Sequence, residues 1–317
     1  MDERDKPGQV LGVGIVGYGR LGRALHRLID HGRSRAAVLI WNRTRINVPG
    51  WTSIHQLAQQ AEVILLCIPS FALRQLLETL KPALRSSTVL VSFAKGIEHT
   101  SGQTVDQVFA TVVPTQPFAL VGGPMLAEEL VAGRQGIAVV GTHDPTIYLK
   151  LVYLFDGTEL LLEPSGDPRA VSLAGVLKNV YALAVGISYG VGCQPGECQN
   201  FRQRALQEML AVGQHLRLPT STINGPAGVG DFMTTSSSPL SRNRRAGERL
   251  GQDGSLDREA ESIASFPHLI ALVGELAAFP ILRATSQAVM HGQSVGRAFA
   301  AVLPGAGQSG DKNPSRS

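Results

Sequence analysis

A chain of 317 residues, 44% of them hydrophobic and 17% charged, can bury a substantial core and divides most naturally into two domains, which excludes a disordered or fibrous protein. The net charge of +4 gives a mild attraction for anions such as small phosphorylated molecules, and without a basic stripe interleaved with aromatics it does not argue for nucleic acid. Three irregularly spaced cysteines, Cys67, Cys193 and Cys198, and eight scattered histidines offer neither a disulfide framework nor a zinc-ligand pattern, so no metal is expected.

The first residues, MDERDKPGQ, are charged and lack the apolar core of a signal peptide, so the expected compartment is a reducing cytoplasm. Residues 10–16 form an apolar run that leads directly into Gly17-Tyr18-Gly19-Arg20-Leu21-Gly22, and a helical pattern through Leu25, Leu28 and Ile29 follows. Strand, glycine turn and helix start are the context in which GxGxxG signifies dinucleotide binding. Gly17 makes the turn, Gly19 lets a pyrophosphate approach, and Gly22 packs helix on strand. At the end of the next strand (36–41), where an acidic residue would take the ribose hydroxyls of NAD(H), the sequence reads Asn42-Arg43-Thr44-Arg45, and no acid occurs between Asp30 and Glu62. Arg43, with Arg45 beside it, can pair with a 2′-phosphate, so NADP(H) is the expected cofactor and NAD(H) the alternative.

Further strands are predicted over 63–68, 88–93, 118–123, 136–141 and 159–162, with an amphipathic helix over 71–84. Strands alternating with helices imply parallel pairing and right-handed crossovers, hence an α/β fold: an amino-terminal doubly wound Rossmann sheet over 9–165. Lys95, in Ala94-Lys95-Gly96, and Gly122-Gly123-Pro124 then fall at carboxyl ends of strands, where such sheets bind ligands.

From residue 166 the pattern turns helical, giving an all-helical second domain over 166–303 and a tail, 304–317, expected to be disordered. Between Arg169 and Glu197 the only charge is Lys178. Its surroundings, with Leu173, Val176, Leu177, Val180, Leu183, Ala184 and Ile187 at helical spacing, read as a helix buried on more than one face. Ala174, Gly175 and Ala182 are small and leave room for another molecule on the lysine's face. The residues alone leave three readings: a lysine snorkelling to a helix edge, a membrane span interrupted by Gly175, Asn179, Gly186, Ser188 and Gly190, or an ammonium that exchanges a proton with bound substrate. A helix over 203–216 follows, then Asn224-Gly225-Pro226-Ala227-Gly228-Val229-Gly230-Asp231, Thr234-Thr235, and Ser241-Arg242-Asn243-Arg244-Arg245. Ser241, Arg242 and Asn243 before a helix could converge as a phosphate clamp, or form a solvated basic face.

The order and spacing of these landmarks resemble the NAD(P)-dependent glycerol-3-phosphate dehydrogenases over roughly residues 10–300. The resemblance rests on GxGxxG at Gly17, Ala94-Lys95-Gly96-Ile97-Glu98, Gly122-Gly123-Pro124 with Ala127-Glu128-Glu129, Gly175-Val176-Leu177-Lys178-Asn179-Val180-Tyr181-Ala182, Gly228-Val229-Gly230-Asp231 and Ser241-Arg242-Asn243. It implies Lys178 as catalytic acid/base, substrate contacts from Lys95, Gly123, Asp231, Ser241, Arg242 and Asn243, and cofactor contacts from Arg20, Leu21, Arg43, Lys95, Ala127 and Arg242. The implied reaction is reduction of dihydroxyacetone phosphate to sn-glycerol 3-phosphate, a phospholipid precursor. Three departures stand out: Met125 where many relatives carry Ser or Thr, Gln194-Pro195-Gly196-Glu197-Cys198-Gln199 in place of a GxNxxT pattern, and apolar residues 269–273 in place of a cofactor-contacting Glu-Gly. They keep open a reductase of another small phosphorylated or carboxylated ketone, and a catalytically weak NADPH-binding regulator. The Lys178 run then reads as a core helix, with no membrane contact expected. An apolar helical second domain in this architecture often forms a dimer interface, which leaves a homodimer open.

Overall fold

The computed structural model describes residues 10–303; the tail 304–317 and residue 9, at the expected start of the first domain, lie outside them. Seven strands form one sheet: β1 (Leu11–Val16), β2 (Ala36–Trp41), β3 (Val63–Leu66), β4 (Val89–Ser92), β5 (Phe118–Gly122), β6 (Gly136–Gly141) and β7 (Leu160–Ser165), in the order β2-β1-β3-β4-β5-β6-β7. The helices between them are α1 (Arg20–His31), α2 (Ile54–Gln60), α3 (Leu73–Leu80), α4 (Val105–Val112), α5 (Ala127–Val131) and α6 (Pro145–Leu154). Alternate residues of each central strand feed two cores. Val13 and Ile15 of β1, Val63 and Leu65 of β3 and Val91 of β4 join Leu25 and Leu28 of α1 and Leu151 of α6. Val16, Ile64, Leu66 and Leu90 join Leu57 of α2, Leu77 of α3 and Phe109 of α4. This period of two, buried on both faces, is why the strands read as continuous apolar runs.

One pairing departs from the all-parallel expectation. β5 and β6 run antiparallel, with Val121 opposite Val140, while every other pair is parallel. Gly123, at φ +119°, turns the chain at the end of β5, and the link holds only the five-residue α5, docked on α1 through Arg20 and Glu128 (2.7 Å). The chain therefore returns beside β5 without a full helical crossover.

The second part of the chain is helical: α7 (Pro168–Gly190), α8 (Pro195–His215), α9 (Thr220–Asn224), a π-turn (Pro226–Gly230), α10 (Asp231–Ser237), α11 (Arg242–Asp253), α12 (Glu261–Ala264), α13 (Phe266–Val273), α14 (Pro280–Val289) and α15 (Val295–Phe299). The chain gathers into two units, one up to Ala94 with Gln103–Ser172, the other Lys95–Gly102 with the residues from Leu173 on. The division thus falls seven residues beyond 165, because α7 begins inside the first unit, and the segment carrying Lys95 counts with the helices.

Within the helical unit α7 is the central element. It is long and apolar enough to cross a bilayer, yet its whole apolar window is buried in protein. Gly186 and Gly247 let α7 and α11 touch backbone to backbone: a methyl on Gly186 would collide with the Arg244 carbonyl, and one on Gly247 with the Leu183 carbonyl. Glu208 of α8 fastens α7 and α14 by accepting the Tyr181 hydroxyl at 3.0 Å and the N–H groups of Ile281 and Leu282 at 2.8 and 2.7 Å. Burial pushes the Glu208 carboxyl up despite these donors, and burial, then the Glu208 charge, pushes the Tyr181 hydroxyl up as well.

Two local expectations are corrected here. Helix α8 opens at Pro195, eight residues before 203, because Gln194 and Glu197 form a capping box. Cys193 and Cys198 are joined as a disulfide with Cα atoms 5.7 Å apart, a single local bridge that irregular cysteine spacing did not suggest; the α8 start brings them within bridging distance.

Candidate active site

In the first unit, the GxGxxG segment leaves β1 as a turn. Gly17 sits at φ +91°, a region only glycine enters freely. A methyl on Gly22 would collide with the Gly17 carbonyl, whereas one on Gly19 meets nothing within 4 Å. Space beside Gly19, together with an α1 amino terminus that lacks a side-chain cap, fits a pyrophosphate bound to free backbone N–H groups. Asn42 steadies this turn: its Oδ1 accepts the Tyr18 N–H at 3.1 Å and its Nδ2 donates to the Thr44 carbonyl at 3.0 Å. Arg43 is exposed with no ion-pair partner among the described residues, whereas Arg45 lies over Trp51 at 4.8 Å. Leu21 packs against the α1 side of the core. Gly123 and Ala127 also belong to this unit, and Met125 is buried in its core.

In the helical unit, Lys95, Lys178 and Asp231 come together. Asp231 follows the π-turn and opens α10, an irregularity common at functional sites. Its Oδ1 lies 3.1 Å from Lys178 Nζ and its Oδ2 2.6 Å from Lys95 Nζ. Lys178 also donates to Thr235 Oγ1 at 2.9 Å, and Thr235 donates to Asp231 Oδ1 at 3.1 Å. Lys178 is 7% and Asp231 3% exposed, so these charges interact with little solvent screening. Burial is the main influence on Lys178 and brings its pKa from 10.5 down to about 8; Asp231 opposes this, Lys95 adds to it, and Glu261 supports the charged form. Burial tends to raise the Asp231 carboxyl, but the two ammonium groups outweigh it and hold Asp231 below its ordinary value.

The face of α7 near Gly175, expected to be open, is filled by Lys95. A methyl on Gly175 would lie 3.0 Å from Lys95 Cγ, so the glycine makes room for the second lysine's stem. A chain of amides fixes the arrangement. Asn179 Nδ2 donates to the Lys95 carbonyl at 2.9 Å, Asn243 Nδ2 donates to Asn179 Oδ1 at 2.8 Å, and the Ser262 N–H donates to Asn243 Oδ1 at 3.1 Å.

Ser241, Arg242 and Asn243 do not converge as a clamp. Ser241 caps α11 by accepting the Arg244 N–H at 3.3 Å, Asn243 serves the amide chain, and Arg242 pairs with Asp257 and Glu259. Three consecutive residues at a helix start point in different directions, and each finds its own local partner. The sequence reading gave no role to Thr235 or Asn179, although Thr235 lies one turn beyond Asp231 and Asn179 directly follows Lys178. Residues 269–273 belong to α13, with Leu269 and Val273 buried, and Glu261, at the start of α12, acts on Lys178 as a lesser acid beside Asp231.

Comparison with known proteins places both halves of the chain in one family. Residues 46–147 match the family model for the NAD-dependent glycerol-3-phosphate dehydrogenase N-terminus, and residues 167–300 that for the C-terminus. A glycerol-3-phosphate dehydrogenase [NAD(P)+] of Synechococcus sp. is 31% identical over 280 residues, covering 87% of each chain. Glycerol-3-phosphate dehydrogenase [NAD(P)+] 1 of Mycobacterium tuberculosis is 30% identical over 260 residues, covering 80% of this chain and 76% of its own. The crystal structure of glycerol-3-phosphate dehydrogenase from Coxiella burnetii superposes with a TM-score of 0.81 at 22% identity, covering 93% of this chain and 99% of its own. With both halves matched and relatives of this identity along most of its length, the chain belongs to the NAD(P)-dependent glycerol-3-phosphate dehydrogenase family of oxidoreductases.

Proposed function

We propose that this protein reduces dihydroxyacetone phosphate to sn-glycerol 3-phosphate, with NADPH preferred over NADH. The observation that carries the reading is the carboxylate of buried Asp231, shared by buried Lys178 and half-buried Lys95 with Thr235 beside it. A ketone gaining hydride at C2 develops negative charge on its oxygen. Lys178, an ammonium in a water-poor setting with its pKa at about 8, can donate the proton that charge requires. Asp231 keeps Lys178 charged and aimed, Thr235 fixes its Nζ, and Lys95 adds a second cation that favours an anionic substrate.

The cofactor supplies the hydride when bound. Gly17, Gly19, Arg20, Leu21 and Gly22 would hold its pyrophosphate, with Asn42, Arg43 and Ala127 beside them. The NADPH preference is supported by exposed Arg43 and by Asn42 where an NAD-specific turn carries an acid. Arg242 would take the substrate phosphate in exchange for Asp257 and Glu259, while Ser241 and Asn243 hold the start of α11 in place around it. The product is a glycerophospholipid backbone, and the reading includes a cytoplasmic location and a homodimer, the latter checked by light scattering.

The test is NADPH oxidation by purified protein with dihydroxyacetone phosphate beside other phosphorylated and carboxylated ketones, and NADH in parallel. Turnover confined to another ketone would move the substrate assignment, and faster turnover with NADH would overturn the cofactor preference. NADPH binding with no turnover would favour the regulatory reading.

A further inference from the structure

Arg242 is already held by carboxylates. Its Nε lies 3.4 Å from Asp257 Oδ2, and its Nη2 lies 3.3 Å from Asp257 Oδ1 and 3.0 Å from Glu259 Oε2. A carboxylate offers a guanidinium the same two-oxygen edge as a phosphate, so a ligand phosphate and these acids compete for one fork. Asp257 also takes Arg249 Nη2 at 2.7 Å and the Glu259 N–H at 3.3 Å. Glu259 is 83% exposed, and its carboxylate has no other partner among the described residues. Arg242, Arg245, Glu248, Arg249, Gln252 and Asp257 line an open cleft of about 360 Å³. In it Arg245, one turn along α11 from Arg242, has no ion-pair partner among the described residues, so an arriving anion meets one available cation before it displaces the acids.

We propose that Asp257 and Glu259 act as built-in competitors, occupying Arg242 until a phosphorylated ligand takes their place, and so set this protein's affinity for phosphate. The proposal rests on the reading of Arg242 as the phosphate-binding arginine. It assigns the acidic segment after α11 a role in substrate affinity rather than in chemistry.

The experiment compares Glu259→Gln and Asp257→Asn with Asp253→Asn, which removes the same charge from the end of α11 without touching Arg242. The KM for dihydroxyacetone phosphate falls about two- to fivefold in the first two, the size of an exposed ion pair, while kcat stays unchanged. Glu259→Gln carries the test if Asp257→Asn disturbs the segment it anchors. A KM that stays or rises in Glu259→Gln overturns the proposal, and so does an equal fall in Asp253→Asn, which would reflect net charge alone. Thermal stabilisation by inorganic phosphate repeats the comparison without turnover. If the wild type reduces no dihydroxyacetone phosphate, yet phosphate stabilises Glu259→Gln more than wild type, the ketone assignment fails and the role of the acids stands.

Discussion

Lys178 Nζ stands 3.1 Å from Asp231 Oδ1, and Lys95 Nζ stands 2.6 Å from the other oxygen of the same carboxylate. One buried anion therefore serves two cations, and the set carries a net positive charge where solvent screening is weak. Asp231 alone could neutralise Lys178; shared with Lys95, it leaves positive charge over for a substrate anion.

The proton on Lys178 sets the pH dependence. Ketone reduction needs the ammonium, so kcat in that direction falls as pH rises through about 8, while alcohol oxidation, which needs the neutral amine, rises over the same range. Stability moves the other way. The unfolded lysine keeps its proton to 10.5, so between about 8 and 10.5 the unfolded chain binds more protons, and this residue's contribution to stability grows with pH. A pH–rate profile for reduction that stays flat through 8 contradicts the assignment.

Asp231→Asn removes the carboxylate shared by buried Lys178 and half-buried Lys95. The expected result is a stability loss of about 3–5 kcal/mol, a further fall in the Lys178 pKa, and an alkaline limb displaced to lower pH. Denaturant unfolding and the kcat profile measure these, and an unmoved limb would show that Asp231 does not control the lysine.

Gly247→Ala drives a methyl into the Leu183 carbonyl, where α7 and α11 touch. Overpacking costs about 1–3 kcal/mol, and separating the helices loosens the Asn243 to Asn179 hydrogen bond. Unfolding free energy and kcat should fall together. A stable variant with full activity would show that the contact is not needed.

Arg43→Ala tests the cofactor preference. Losing a charge-assisted contact to the 2′-phosphate should raise the KM for NADPH about tenfold or more and leave that for NADH nearly unchanged. Equal effects on both cofactors would remove Arg43 from phosphate recognition.

The sheet was legible because buried strands announce themselves by apolar runs and glycine turns. The antiparallel β5 and β6 pair was not, since alternation of strand and helix says nothing about a link that holds only a five-residue helix. Lys178 was legible as the one charge in an apolar stretch, and Asp231 as the acid closing a glycine-rich turn. The contacts of Thr235 and Asn179 were hidden because they arise only when α7, α10 and the Lys95 segment pack together. The state of Arg242 was hidden for a related reason: its partners lie 15 and 17 residues further on, a separation no helical spacing encodes.

The most direct measurement is kcat for dihydroxyacetone phosphate reduction in Lys178→Ala, beside the Kd for NADPH. Removing a positioned acid should lower kcat by about 10² to 10⁴ with the NADPH Kd unchanged. A variant that keeps most of its turnover would contradict Lys178 as the proton donor, and with it the chemistry assigned to this site.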